Sequence, residues 1–308
     1  MAAVRRAVVD IGTNSTRLLV ADVEDGRVGD VLARRTEITR LGAGVDADGR
    51  LSDEAMQRVY RVLDDYLKEI DEHGAEDAVA VLTSAVRDAA NGQEFSDTVR
   101  ARWGIEPHVL TGDEEARLTF LGATSERDPE DQTPTLVIDI GGGSTEFVIG
   151  IGREMSFHVS NQAGVVRQTE RHLHSDPPTA EEQAALAADA REILSAGVPD
   201  RWRRDVGHAI AVAGTATSLA SIAQELVPYD PDRVEGFVLS AAECRRILER
   251  LAGLTLEQRR QVPGLHPDRA PTIVAGAIIL LVTLELFGLD HVEVSEHDIL
   301  RGAALGLD

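Results

Sequence analysis

The chain has 308 residues and a formal net charge of −22. We predict two compact domains at this length, because single hydrophobic cores become uncommon in chains of that size. Hydrophobic residues make up 43% and charged residues 27% of the chain, which excludes a disordered or collagen-like protein. The acidic excess predicts a surface that repels DNA, RNA and anionic lipid, so we expect no nucleic-acid partner and no membrane partner.

Rare residue types exclude further classes of protein. Lys68 is the single lysine of the sequence and lies in an acidic segment, so the chain has no G-x-x-x-x-G-K-[ST] loop and is not a P-loop NTPase. Cys244 has no second cysteine to pair with, which fits a reducing compartment. The apolar stretch before Asp10 is too short for a secretory signal, so we expect a cytoplasmic protein. Residues 273–289 form the most apolar stretch and predict a buried helix.

The opening of the chain predicts three antiparallel strands. Valine-rich runs at residues 7–10 and 18–23 flank a Gly-Thr-Asn-Ser turn, and Asp25-Gly26 is typical of a hairpin turn. The elements predicted next are a helix over 52–73 capped by Ser52 and ended by Gly74, a strand over 79–82, a helix over 95–103, a strand over 108–110 and a helix over 114–124.

A polar segment with two prolines, residues 127–134, predicts a linker. We therefore assign residues 1–126 to a first domain and residues 127–297 to a second, and expect a C-terminal helix over 298–308 to complete the first. Strands predicted over 135–139, 147–151 and 155–159 repeat the opening of the chain. Capping boxes predict helices after Thr179, Ser240 and Thr255.

One motif occurs twice, and it favours a phosphate-binding function. The segment that contains Asp10 aligns with the segment that contains Asp139, with the same Asp, Ile, Gly, Ser and Thr positions. An aspartate at the end of a strand can hold a hydrated cation, while the glycines that follow let backbone N–H groups converge on an anion. The alternative is a plain hairpin with a glycine turn. It leaves the buried carboxylate of both copies unexplained, because burying an unpaired carboxylate is costly.

A third glycine element, Gly214-Thr215, lies between a strand predicted over 208–212 and a helix predicted over 219–226. The start of a helix after a strand is a natural anion site. The alternative is that Gly214 allows close packing and Thr215 caps the helix.

These motifs resemble one family, the exopolyphosphatase and guanosine pentaphosphate phosphohydrolase (Ppx/GppA) family. The resemblance is carried by residues 9–15, 83–91, 110–117 and 139–146, with weaker support from 214–217 and 269–276. It implies an α/β fold of two actin-like (ribonuclease H-like) domains, each with a mixed five-stranded sheet flanked by helices, and an active site in the interdomain cleft. Many relatives carry a further region with histidine and aspartate motifs, so the chain resembles the short form.

The resemblance also implies roles for single residues. Glu115 matches the catalytic base, although a first-turn acid favoured by the helix dipole is the alternative. Its neighbour Glu114 completes a capping box and is interpreted as structural. Asp139 and Glu146 would bind Mg²⁺, or Mn²⁺, with Asp10 acting through the hydration shell of the metal. The implied phosphate ligands are Asn14, Ser15, Arg17, Arg87, Gly141, Gly142, Gly143, Ser144, Thr145, Gly214, Thr215 and Arg269, with a solvated arginine as the alternative for Arg17 and Arg269.

We therefore predict an exopolyphosphatase, which releases the terminal orthophosphate of linear inorganic polyphosphate by hydrolysis. Guanosine pentaphosphate is the alternative substrate, since the implied residues act on the phosphate end only. An ATP-dependent kinase of the actin fold and a non-catalytic polyphosphate or nucleotide sensor are the remaining alternatives. The resemblance also implies a homodimer.

Overall fold

The computed structural model describes residues 3–128 and 130–307. Met1 and Ala2 of the predicted first domain, Pro129 of the predicted linker and Asp308 of the predicted last helix lie outside the described residues. The chain divides into two units: one joins the residues up to Ser125 with the segment from His297 onward, and the other is Glu126–Glu296.

The first unit is built on one mixed sheet. Its elements before the second unit are β1 (Val4–Ile11), β2 (Thr16–Glu24), β3 (Arg27–Glu37), α1 (Val45–Asp48), α2 (Asp53–His73), β4 (Asp77–Leu82), α3 (Ser84–Arg87), α4 (Gly92–Trp103), β5 (Glu106–Val109) and α5 (Gly112–Ala123). Across the described residues the strand order is β3-β2-β1-β4-β5, antiparallel on the β2 side of β1 and parallel on the β4 side. The predicted order of elements is confirmed.

Helix α2 shows why the sequence folds in this way locally. The Ser52 side chain accepts a hydrogen bond from the Ala55 amide, which satisfies one of the free N–H groups at the helix start. Gly74 ends the helix in the left-handed conformation, as predicted. Between them, buried Val59 and Leu63 recur at helical spacing and belong to the core on one face of the first sheet.

The second unit repeats this arrangement. Its elements are β6 (Thr135–Ile140), β7 (Thr145–Ile151), β8 (Glu154–Asn161), α6 (Val165–His172), α7 (Ala180–Gly197), α8 (Asp200–Arg203), β9 (His208–Val212), α9 (Ala213–Ala223), α10 (Pro231–Val234), β10 (Phe237–Ser240), α11 (Ala241–Ala252), α12 (Leu256–Arg259), a 3₁₀ turn (Pro267–Arg269), α13 (Ile273–Phe287) and β11 (His291–Val294). The strand order among them is β10-β11-β9-β6-β7-β8. Strands β8-β7-β6-β9-β11 match β3-β2-β1-β4-β5 in order and direction, so the predicted duplicated α/β fold is confirmed.

Two predictions about the second unit are wrong in detail. Its sheet has six strands among the described residues rather than five, because β10 pairs antiparallel with β11 at the edge. Strand β10 is four residues long, and its residue Val238 is exposed. A run this short has too few residues to show the alternation of apolar and polar residues that predicts a strand. Helix α9 begins at Ala213 and not at residue 219, since Ala213 turns the chain with a positive φ of 61°.

Helix α13 is buried along almost its whole length, as predicted for residues 273–289. No helix in the described part of the chain is long and apolar enough to cross a membrane. The last element, α14 (Ile299–Gly306), packs on α5 and β1 in the first unit. Asp298 caps this helix by accepting a hydrogen bond of 3.0 Å from the Leu300 amide.

Candidate active site

The first glycine loop, residues 12–15, connects β1 and β2. The Gly12 amide donates to the Ser15 carbonyl at 2.9 Å, which closes the loop. The carbonyls of Thr13 and Asn14 accept hydrogen bonds from the backbone of residues 40–42. Within the described residues the amides of the last three loop residues donate no backbone hydrogen bond. The loop therefore turns its carbonyls inward and presents N–H groups.

The second glycine loop, residues 141–144, is built in the same way. The Gly141 amide donates to the Ser144 carbonyl at 3.0 Å. The carbonyls of the three glycines accept hydrogen bonds from the amides of residues 164–166 at the start of α6. Within the described residues the amides of Gly142, Gly143 and Ser144 likewise have no acceptor. Convergent N–H groups of this kind form an anion-binding concavity.

Gly164 brings α6 against the second loop. A Cβ at this position would collide with the backbone of Gly142 and Gly143, so the close approach requires glycine. Arg167, one turn into α6, donates from Nε to the Gly143 carbonyl at 2.9 Å. The second loop is thus held by backbone and side-chain donors of the same helix.

The two aspartates that precede the loops differ in their surroundings. Asp10 is 4% exposed, and its Oδ2 accepts from Arg17 Nη2 at 2.6 Å and from Nε at 2.9 Å. Arg17 also donates to Asp298. Asp10 Oδ1 is buried without a partner among the described residues. Burial raises the pKa of the Asp10 carboxyl above its ordinary value, and Arg17 opposes that rise.

Asp139, by contrast, faces a second acid. It is the Cα partner of Glu146 across the antiparallel pair β6–β7, where Asp10 has Arg17. Glu146 is 3% exposed, and its Oε1 accepts a hydrogen bond of 2.7 Å from the Ser160 hydroxyl on β8. Two carboxylates on adjacent strands repel each other unless a cation or other donors lie nearby.

Glu115 lies in the first turn of α5 and pairs with Arg87 at the end of α3. Arg87 Nη1 donates to Glu115 Oε2 and to the Leu110 carbonyl, both at 2.9 Å. Burial raises the pKa of the Glu115 carboxyl above its ordinary value, Arg87 lowers it, and Asp10 adds to the rise. A largely buried carboxylate with a raised pKa suits a general base.

Glu114 points away from this chemistry. Its Oε2 accepts hydrogen bonds of 2.8 Å from the Thr111 amide and hydroxyl, and its own amide donates to Thr111 Oγ1 at 3.2 Å. The predicted capping box is confirmed. Backbone hydrogen bonding from Thr111 lowers the pKa of Glu114, so the two adjacent glutamates are shifted in opposite directions.

The third glycine element joins the second glycine loop. Thr215 Oγ1 donates to the Ile140 carbonyl at 3.2 Å, at the end of β6. Arg269 lies so close to Gly214 that a Cβ there would collide with its guanidinium group. Ala213, in the preceding position, has a positive φ, a strained conformation that is common at functional sites.

The predicted residues fall into two groups that follow the two units. In the first unit the fold brings together Asp10, Asn14, Ser15 and Arg17 around the first glycine loop, and pairs Arg87 with Glu115. In the second unit it brings together Asp139, Glu146, Gly141, Gly142, Gly143, Ser144, Thr145, Gly214, Thr215 and Arg269. Thr145 is fully buried and its hydroxyl donates to the Ala163 carbonyl at 2.7 Å, so this hydroxyl supports the loop from within.

Asp139 and Glu146 offer carboxylate oxygens, the ligands that hard divalent cations such as Mg²⁺ and Mn²⁺ take. Among the described residues no three His, Cys, Asp or Glu side chains form a metal-binding cluster. Mg²⁺ keeps several of its waters and uses one or two carboxylates, which the Asp139–Glu146 pair can supply. In the first unit, the buried Oδ1 of Asp10 has no partner among the described residues and can accept a hydrogen bond from water.

Sequence patterns did not predict four residues that support the site: Ser160, Gly164, Arg167 and Asp298. Gly164 directly before a helix was a usable signal for close approach. The other three act through tertiary contacts that no local pattern encodes.

Comparison with known proteins shows the family of the chain. The model of the Ppx/GppA phosphatase family matches residues 19–305. Exopolyphosphatase 2 of Mycobacterium tuberculosis is 40% identical over 319 aligned positions, which cover 100% of this chain and 99% of that protein. The Ppx/GppA family member of Aquifex aeolicus has a TM-score of 0.82 at 32% identity, covering 98% of this chain and 97% of the other. An exopolyphosphatase from Cytophaga hutchinsonii has a TM-score of 0.87 at 28% identity, with the same coverages of 98% and 97%. The chain therefore belongs to the Ppx/GppA phosphatase family.

Proposed function

We propose that the protein is an exopolyphosphatase, which hydrolyses the terminal phosphoanhydride bond of linear inorganic polyphosphate and releases orthophosphate. The observation that carries this proposal is the identical construction of the two glycine loops. Each closes through a Gly-to-Ser backbone hydrogen bond, and in each the three remaining loop amides donate no backbone hydrogen bond within the described structure. Each loop can therefore bind the oxygens of a phosphate group, which suits a substrate that carries several phosphates.

The relatives support a hydrolase of phosphoric anhydrides. Exopolyphosphatase 2 of Mycobacterium tuberculosis aligns with 100% of this chain. The family model matches residues 19–305, which include the second glycine loop but not the first. That loop is present with the same Asp-Ile-Gly pattern as the second.

We assign proton transfer to Glu115. In its ionised form it accepts a proton from the attacking water at Oε1 or Oε2, and the Arg87 guanidinium holds the carboxylate in one orientation at 2.9 Å. Because its pKa is raised, Glu115 is a stronger base than an exposed glutamate. For the same reason it becomes ionised only at a higher pH.

Charge on the phosphate oxygens is stabilised by the loop amides and by arginine. Backbone N–H groups that already point outward need no reorganisation when charge develops, which is the main electrostatic contribution in phosphoryl transfer. Arg269, packed against Gly214, adds a guanidinium group that can pair with phosphate in bidentate fashion. Asp139 and Glu146 would hold Mg²⁺, or Mn²⁺, which when bound neutralises phosphate charge.

Phosphate release from four substrates compared side by side tests the proposal. The substrates are long-chain polyphosphate, tripolyphosphate, guanosine pentaphosphate and ATP, each with MgCl₂. We expect the highest kcat/KM with polyphosphate. A higher kcat/KM with guanosine pentaphosphate would assign the second activity in the family's name. Phosphate transfer from ATP to an added acceptor, without hydrolysis, would assign a kinase, and tight binding without release from any substrate would assign a sensor.

A further inference from the structure

Asp298 lies where three parts of the first unit meet. Its Oδ1 accepts from the Leu300 amide at 3.0 Å and caps α14. Its Oδ2 accepts from Arg17 Nη1, and its backbone carbonyl lies against Gly122 on α5. Asp298 is 2% exposed, so these contacts are made away from water. A carboxylate that needed only to cap a helix would not require burial against an arginine of another element.

Arg17 is shared by two carboxylates. Its Nε and Nη2 bind Asp10 Oδ2, whereas Nη1 binds Asp298 on the opposite side. A guanidinium group has a rigid planar fork, so fixing one edge fixes the other. The arrangement determines which oxygen of Asp10 is engaged and leaves Oδ1 as the buried oxygen without a partner in the described chain. That oxygen lies 3.9 Å from where a Cβ on Gly12 would be, beside the first glycine loop.

The same residue also determines where α5 lies. A Cβ on Gly122 would collide with the Asp298 carbonyl oxygen, and a Cβ on Gly302 would collide with the Leu118 carbonyl. Helices α5 and α14 are thus in backbone contact just after Asp298. Helix α5 carries Glu115 in its first turn.

We propose that Asp298 is a positioning residue for the phosphohydrolase reaction: it fixes Arg17 on Asp10 beside the first glycine loop and aligns the helix of Glu115 with the same strands. This inference depends on the proposed function. Because Asp298 adds a second carboxylate to one guanidinium group, it also places net negative charge next to a loop that binds a polyanion. Removal of the Asp298 carboxylate should therefore tighten the binding of the polyanion and lower kcat.

The Asp298→Ser variant isolates the contact with Arg17. Serine is a good helix N-cap, so α14 keeps its cap, but its side chain is too short to reach Arg17. Arg17 retains Asp10 as a partner, so no charge is left buried alone. Asp230→Ser is the matched control, since Asp230 caps α10 in the second unit through the amides of Asp232 and Arg233.

The experiment is a double-mutant cycle of Asp298→Ser with Arg17→Met. It has two measurements: kcat for phosphate release from polyphosphate with MgCl₂, and the Kd of tripolyphosphate by calorimetry in EDTA. In the wild-type background we expect kcat to fall by about 10-fold, the loss expected for one charge-assisted hydrogen bond. Tripolyphosphate binding should tighten several-fold. The loss of kcat should not recur in the Arg17→Met background, and Asp230→Ser should leave both values unchanged.

Equal losses of kcat in both backgrounds, or a weaker or unchanged Kd in the Asp298→Ser variant, would overturn the inference. If the wild type binds tripolyphosphate but releases no phosphate from any substrate, the proposed function fails, and the Kd cycle still decides the role of Asp298. Absence of both binding and release would overturn the two together.

Discussion

Glu146 occupies in the second sheet the position that Arg17 occupies in the first. Each is the Cα partner of the aspartate that precedes a glycine loop. The backbones of the two copies are therefore equivalent, while the charges beside them are opposite: Asp10 has an ion-pair partner and Asp139 has a second acid. We infer that the first glycine loop mainly binds phosphate and that the second also binds the metal.

The Glu115→Gln variant tests the general base. Glutamine keeps the shape of the side chain and its contact with Arg87 but cannot accept a proton from water. We expect kcat for polyphosphate to fall by about 10²–10⁴-fold, the contribution of a general base, with little change in the Kd of tripolyphosphate. Phosphate release at saturating substrate and calorimetric binding are the measurements.

Its control lies one residue away. Glu114→Gln removes a capping carboxylate whose pKa is lowered by the Thr111 amide and leaves Glu115 in place. We expect a loss of stability of about 1 kcal/mol or less and an unchanged kcat. Equal losses of kcat in the two variants would mean that the helix start, and not the base, is required.

The Arg87→Gln variant tests the environment of the base through the pH profile. Burial raises the pKa of Glu115 and Arg87 lowers it, so removal of Arg87 raises that pKa further. Because the base acts in its ionised form, activity is lost as pH falls through the pKa. We expect the acid limb of kcat/KM to move to higher pH in the variant. An acid limb that stays in place would assign it to another group.

The sequence predicted those parts of the site whose contacts join residues close together along the chain, and missed those whose contacts join distant residues. Strand β6, its aspartate and the glycines after it are local patterns, and all lie where they were predicted. The capping box at Thr111 also involves neighbours in sequence. The second carboxylate that binds Arg17, by contrast, is that of Asp298, the N-cap of the last helix, and its local pattern indicates only a cap.

The same distinction explains the direction of single side chains. The same sequence motif predicts both Ser144 and Thr145 as phosphate ligands. In the structure, however, the Thr145 hydroxyl already donates a hydrogen bond to the Ala163 carbonyl. The acceptor belongs to the segment after β8, which reaches the loop only when the sheet has formed. Sequence spacing can identify the loop but not which of its hydroxyl groups remain for the substrate.

The Gly164→Ala variant tests the shape of the second glycine loop without touching a proposed ligand. A methyl group there would collide with the Gly142 and Gly143 backbone, so the loop must move. A displacement of about 1 Å at a reacting centre can cost about 10²-fold in rate, and we expect a loss of that order in kcat/KM. Steady-state phosphate release measures it.

Gly253→Ala is the matched control in the same unit. The nearest atoms to its added Cβ lie at 3.5 and 3.7 Å, which is ordinary contact, and its φ of −80° suits alanine. We expect wild-type activity and unchanged or slightly raised stability. If Gly164→Ala is as active as Gly253→Ala, the close approach of α6 is not needed for catalysis.

The difference between the two aspartates predicts different metal dependence. Chelation with EDTA should remove activity, and Mg²⁺ or Mn²⁺ should restore it. Asp139→Asn reduces the negative charge of an acidic pair, so we expect the Mg²⁺ concentration for half-maximal activity to rise strongly. Asp10→Asn should raise it less, because Oδ2 of Asp10 is already bound by Arg17 and only Oδ1 can bind a metal-bound water. Phosphate release against free Mg²⁺, with calorimetric Mg²⁺ binding in the absence of substrate, measures both. An equal rise for both variants would mean that the opposite charges of Arg17 and Glu146 have no consequence for metal binding.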